Sequence, residues 1–196
     1  MTDTLSAPPA SGTEGDVPRT PAPGLRPPAN PATAAEAAAW YALRLGWRIV
    51  PGSPVLAVLG SRVPGAAQLG AVDVPALVGT AALERVGKTT GACGPITDGQ
   101  GRMRFLVDLA GTTDEEHAWL DDWRAAGVDL RVIGAGAYCP LPTPGMVGRS
   151  RVVWTVPPDP SRPALPAARS ITAALDRAVR DAYPALWHVP TRGTSA

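Results

Sequence analysis

The chain has 196 residues, 45% of them hydrophobic, which is enough for one domain with its own core. Its 18 basic and 17 acidic residues leave a net charge of +1, so no bulk positive field marks a nucleic-acid partner, and any such binding has to be local. Two cysteines without CxxC spacing and two histidines far apart in sequence argue against a structural zinc site and a disulfide framework.

The first residues carry acids in place of a basic region followed by an apolar run, so no signal peptide is visible. No apolar run approaches the ~20 residues that a membrane span needs. The sequence therefore reads as cytoplasmic, with no membrane partner. All but one of the basic residues are arginine, Lys88 being the exception, and alanine is abundant. That bias points to a GC-rich coding sequence and carries no functional meaning.

Residues 1–32 are mostly Pro, Ala, Ser, Thr and Gly, as in Ala7-Pro8-Pro9, Thr20-Pro21-Ala22-Pro23 and Arg26-Pro27-Pro28. Such a segment buries too little apolar area to offset its ordering and reads as a disordered tail. The domain then spans residues 33–184, with a flexible end over 185–196. Thr33 and Glu36 form a capping box for a helix that runs through Trp40 and Leu43 to Gly46. Trp47–Val50 and Val55–Leu59 read as short strands. Gly70–Val74 is a third strand, and Pro75 starts a helix over Ala76–Val86.

Gly101–Leu109 is the clearest strand, an apolar run between the turn residues Asp98-Gly99-Gln100-Gly101 and Ala110-Gly111-Thr112. Thr113 and Glu116 cap a helix that reaches Ala126, and Gly127 closes it. Val128–Ile133, Ala137–Pro140 and Arg151–Val156 are further strands, and Pro166 to about Tyr183 is a last helix. Strands and helices mix without strict βαβ alternation. The expected class is α+β (α/β-like), a mixed, partly antiparallel sheet flanked by helices.

Most candidate chemistry has an ordinary reading. Gly87-Lys88-Thr89-Thr90 resembles the end of a phosphate loop, but Ala82 stands where that motif needs its first glycine, and the preceding residues read as helix. His117 falls among acids in the first turn of a helix, where the helix dipole accounts for them. His188 lies in the C-terminal tail. Cys139 has no nearby base and reads as a buried thiol, and Trp119 with Trp123, four apart, reads as core. Asp73, Asp108 and Asp129 differ from these because each sits inside an apolar strand, where an acid is costly unless it is paired or bound to a cation. Carboxylates converging from neighbouring strands would suit Mg²⁺ or Mn²⁺ and a nucleoside triphosphate.

Taken in order, these stretches resemble the primase/polymerase (Prim-Pol) domain of the archaeo-eukaryotic primase type, in the form of small actinobacterial bifunctional DNA primase/polymerase proteins. Leu45–Pro51 looks like that family's entry strand, and Ala71-Val72-Asp73-Val74-Pro75 falls where it has its paired-acid strand, Asp-x-Asp. Gly101–Leu106 is similar to its Gly-Arg-His-Leu-Tyr-Phe strand. Val128–Arg131 with Gly136–Pro142 is similar to its third-acid strand and the run that follows, and Gly148–Trp154 to its closing strand. The likeness covers about residues 34–158 and implies a Prim-Pol/RRM-like fold.

The resemblance also assigns roles. It makes Asp73 and Asp129 metal ligands for Mg²⁺ or Mn²⁺ in nucleotidyl transfer. It places Pro75 where the second acid should stand, and Met103 where the family has a nucleotide-contacting histidine. Two of four functional positions are thus lost, and two carboxylates hold one ion at best. The expected function is a catalytically degenerate Prim-Pol-like domain, a pseudoenzyme that retains nucleotide or nucleic-acid binding. The alternatives are an active DNA primase/polymerase with a rebuilt site that recruits Asp108, and a non-catalytic protein-interaction module working through its Pro-rich tail. Arg102, Arg104, Arg131, Arg149 and Arg151 are the candidates for phosphate contact, with nucleotide, DNA or another protein as partner.

Overall fold

The computed structural model describes residues 31–89, 94–112, 123–124, 127–148, 151–161 and 164–182. In chain order the elements are α1 (Ala34–Leu45), β1 (Ile49–Val50), β2 (Leu56–Val58), β3 (Leu69–Pro75), α2 (Ala76–Thr89), β4 (Ile96–Gly99), β5 (Arg102–Asp108), β6 (Arg131–Ile133), β7 (Tyr138–Pro140), β8 (Val152–Val156) and α3 (Ala168–Ala182).

Local chemistry sets the boundaries. Thr33 caps α1 by accepting from Glu36 N at 3.2 Å, while Glu36 Oε2 accepts from Ala32 N at 2.8 Å, one residue before the Thr33 N–H that a capping box engages. Gly46 ends α1 in the left-handed conformation (φ 66°), which an L side chain disfavours. Pro75 closes β3, and α2 follows at once from Ala76. The helix runs through Gly87 to Thr89, beyond the end expected at Val86.

The strands form a three-stranded sheet, β1-β2-β7, and a five-stranded sheet, β6-β3-β5-β4-β8. Every pairing between these strands is antiparallel, where a partly antiparallel sheet was expected, and the fold is α+β. β4 is a strand that the sequence does not announce, since its second half, Asp98-Gly99, carries turn residues. The turn is Gln100-Gly101 alone, both at positive φ (61° and 72°), and this two-residue hairpin places Asp98 and Gly99 in the ladder. β6 begins at Arg131, so Asp129 lies on the approach to the strand and not within it. The helix expected over Thr113–Ala126 lies outside the described residues except for Trp123 and Arg124, which are helical.

Strand alternation divides the apolar residues between two cores. Val72 and Val74 of β3 with Met103, Phe105 and Val107 of β5 face one side, where Val78 and Ala82 of α2, Ile171 and Leu175 of α3, and Trp123 cover them. Ala71 and Leu106 face the other side, beneath Tyr41 and Leu45 of α1 and Ala57 and Cys139 of the small sheet. The large sheet is thus the middle of three layers. Among the described residues no helix is long and apolar enough to cross a membrane.

Gly79 shows how tightly α2 sits on this sheet. A Cβ there would lie 2.7 Å from both Cβ and Sδ of Met103. Helix propensity favours Ala over Gly by about 1 kcal/mol, whereas overpacking costs about 1–3 kcal/mol. Because Met103 Cβ is fixed to the strand, overpacking is expected to win. Gly79→Ala should lower the urea midpoint, and a raised midpoint would show that α2 can move off the sheet.

Candidate functional site

Register brings distant residues into one row. Arg131 on β6 pairs with Asp73 on β3, Asp73 with Arg104 on β5, Arg104 with Thr97 on β4, and Thr97 with Trp154 on β8. Directly opposed residues of an antiparallel sheet share a face, so these five side chains form a line that is exposed at Arg131 and buried at Asp73, Arg104 and Thr97. At one end of the line lies an ion cluster, and at the other an aromatic cleft.

Asp73 is 5% exposed, and an unpaired carboxylate so buried would cost several kcal/mol. Its Oδ2 receives Arg102 Nε at 3.1 Å and Nη2 at 3.0 Å, while Arg104 Nε stands 3.4 Å from Oδ1. The same Arg102 donates through Nη1 to Asp129 Oδ2 at 2.8 Å and through Nη2 to the Asp129 carbonyl at 2.9 Å. Arg131 closes a fork on Asp129, with Nε on Oδ1 and Nη2 on Oδ2, both at 2.8 Å. The Arg131 hydrogen bonds, with the charge of Arg102 beside them, hold the Asp129 carboxyl below its ordinary value of 3.8.

Asp73 and Asp129 therefore do meet, and the cation they share is a guanidinium. Arg102, Arg104 and Arg131 lie in this cluster. Arg151 does not: it is exposed at the start of β8 and lines the cleft. Arg149, His117, His188 and Trp119 lie outside the described residues. Asp108 lies at the far end of β5, opposite Leu69. Its Oδ1 accepts from Gln68 N at 2.7 Å and Ala110 N at 2.8 Å, so it shapes a turn and is not recruited.

The donor set fits a divalent cation poorly. Arginines engage the Asp129 carboxylate and Oδ2 of Asp73, Asp73 Oδ1 makes no hydrogen bond but has Arg104 Nε 3.4 Å away, and among the described residues no group of three His, Cys, Asp or Glu side chains could hold a metal ion. A Mg²⁺ placed there would have to displace Arg102 and would sit beside Arg104 and Arg131. Phosphate contact is hindered for the same reason, because Nε, Nη1 and Nη2 of Arg102 all donate to aspartate oxygens.

Farther along the row the polar groups are buried with few partners. Thr97 Oγ1 and Arg104 Nη1 have no hydrogen-bond acceptor or donor of good geometry. Cys139 lies over them, 1% exposed, and burial pushes its thiol up to about 12, so it is no nucleophile at neutral pH.

The cleft at the other end was not anticipated from sequence. It encloses about 720 Å³ between α1, the 142–148 loop, β8 and the prolines that follow it. Trp40, Tyr41 and Trp154 supply its aromatic wall, with ring centroids 5.3 Å apart for Trp40–Tyr41 and 6.0 Å for Tyr41–Trp154. Tyr41 is fixed through its hydroxyl, which donates to the Pro142 carbonyl at 2.9 Å and accepts from Trp154 Nε1 at 3.2 Å. Burial pushes this phenol up to about 12, so it stays a donor at any physiological pH. Among the described residues of the lining, Arg151 is the one charged side chain. The signal for this cleft in sequence was weak, since Trp40, Tyr41 and Trp154 are spread over more than a hundred residues.

Compared with known proteins, the chain matches no family model, no curated protein and no solved structure. The reading of the site thus stands on its own geometry.

Burial decides which ion pair matters. Arg102→Ala strands the carboxylate of Asp73 and should cost about 2–4 kcal/mol. Asp129→Ala breaks a half-exposed pair and should cost less than about 1 kcal/mol. Because the Asp129 carboxyl is depressed, its contribution is present above pH 3.8 and is lost as pH falls through the lower, folded-state value. Denaturant titration of both variants at pH 7, and of Asp129→Ala also near pH 3, checks the order; equal losses at pH 7 would contradict it.

Proposed function

We propose that this chain is a Prim-Pol-like domain without metal-dependent nucleotidyl transfer, working as a non-catalytic interaction module. The scaffold half of this reading is supported by convergence. Three segments the resemblance singles out come together, Asp73 and Arg102–Arg104 on the paired strands β3 and β5 and Asp129 on the approach to β6. The observation that carries the loss of catalysis is Arg102, whose guanidinium bridges the two carboxylates to which the resemblance gives a metal. Phosphoryl transfer assisted by metals needs carboxylate oxygens free to coordinate, and here both Asp129 oxygens and Oδ2 of Asp73 accept from arginine while Asp73 Oδ1 faces the cation of Arg104.

The surface that remains for a ligand is the cleft. Its wall is aromatic and proline-rich, Arg151 is the one charge among its described residues, and its volume lies in the range of ordinary binding sites. Flat rings set beside prolines suit an extended, apolar polypeptide, whose backbone carbonyls are unpaired and can accept from indole N–H groups. Nucleotide and DNA, the other partners the resemblance implies, would need cations that the cluster has already engaged.

Thermal unfolding in Mn²⁺ with a deoxynucleoside triphosphate tests the loss of catalysis. A ligand at a hundredfold excess over its Kd adds about 2.7 kcal/mol to stability, which is easily read as a raised Tm. No such rise is expected for the wild type. A rise that requires both ligands and vanishes in Asp129→Ala would overturn this reading and restore an active polymerase site.

A further inference from the structure

β8 is the outer strand of the five-stranded sheet, and among the described residues no strand pairs with its far side. Every second residue along Val152–Val156 therefore points its N–H and C=O away from β4, with no backbone partner among the described residues. The opposite edge of the same sheet is better guarded, since β6 has three residues and begins at the exposed Arg131. β8 has five residues with no charge and no proline among them. The cleft lies along this edge. Side chains of a strand alternate between its faces, so a pocket on one face touches every second residue. Arg151, Val152, Val153 and Trp154 all line the cleft, and the register with β4 is regular over Val152–Trp154, so the cleft meets the strand edge-on. We propose that a partner protein adds an extended strand to β8, antiparallel to it, with apolar side chains on the Trp154 side and an acid beside Arg151.

Each part of that occupant answers a feature of the cleft. The outward backbone groups of β8 repeat every two residues, a spacing that another extended main chain matches. Antiparallel is the sense of every strand pairing in this sheet. Arg151 is exposed and takes part in none of the ion pairs among the described residues, so an acid near the C-terminal end of the added strand would complement it. The carbonyls on the added strand's other edge have a donor in Nε1 of Trp40, a cleft residue, which is buried with no acceptor. Pro157 has no N–H to give, so the ladder ends with the five residues of β8. This inference rests on the reading of the cleft as a polypeptide site and adds how the polypeptide is held.

The probe is the peptide Val-Thr-Val-Thr-Val-Asp, blocked at both ends, added to the full chain and followed by ¹⁵N NMR. Two further versions carry N-methyl groups, one on the valines and the other on the remaining residues. A strand turns alternate N–H groups to opposite edges, so only one version loses the donors that face β8. The expected result is that the unmodified peptide shifts the β8 amides and the Trp40 and Trp154 indoles and leaves Trp123 in place. One methylated version should bind about tenfold or more weakly, and the other should bind like the parent. Arg151→Glu should weaken the parent and favour a peptide ending in Lys in place of Asp. Equal binding of the two methylated versions, with the indoles still shifting, would overturn strand addition while leaving the cleft as a polypeptide site. Indoles unmoved by any of the peptides at millimolar concentration would overturn both readings. β8 amides that shift with protein concentration alone would put a second copy of the chain on this edge and overturn a foreign strand.

Discussion

A buried carboxylate in the middle of the sheet is the constraint around which this chain is arranged. Asp73 sits on β3, which pairs on both sides and lies beneath a second layer. Water cannot reach it well enough to solvate the charge, so the protein has to supply cations. Register does this. The residues opposite and diagonal to Asp73 on β5 are Arg104 and Arg102, and the residue opposite it on β6 is Arg131. The order β6-β3-β5 therefore solves an electrostatic problem as well as burying Val72 and Phe105. Arg102 then reaches past Asp73 to Asp129, tying the approach to β6 onto the central strands.

That arrangement also separates the two ends of the polar row. At the cluster, three arginines against two aspartates leave little coordinating capacity for a metal or a phosphate. At the other end the row finishes at Trp154, whose indole fixes Tyr41 and with it the wall of the cleft. The small sheet roofs the interval between them and keeps Thr97, Arg104 and Cys139 away from solvent. The described residues at the apolar end offer a ligand shape and aromatic contact, with Arg151 as their one charge.

Much of this was legible in the residues. The capping box at Thr33 and Glu36, the stop at Gly46, the strand Arg102–Asp108 and the α+β class all follow from local rules, because each signal lies within a few neighbouring positions. β4 was missed because Asp98-Gly99 looks like a turn, and only the positive φ of Gln100 and Gly101 moves the turn two residues on. The three strand acids looked equivalent by composition, yet Asp73 is in an ion cluster and Asp108 holds a turn. That distinction depends on which residue stands opposite on another strand, and no local pattern records it. The cleft was invisible for the same reason, since α1, β8 and the 142–148 loop meet only in the folded chain.

The most direct measurement is a double-mutant cycle between positions 73 and 102, with Asp73→Val, Arg102→Met and the pair compared by denaturant unfolding. If Arg102 is the cation that makes Asp73 tolerable, removing both should cost much less than the two separate losses together, with a coupling of about 1.5 kcal/mol or more. Additive losses, with coupling below about 0.5 kcal/mol, would mean that the guanidinium is not what holds the carboxylate, and the account of this site would fall.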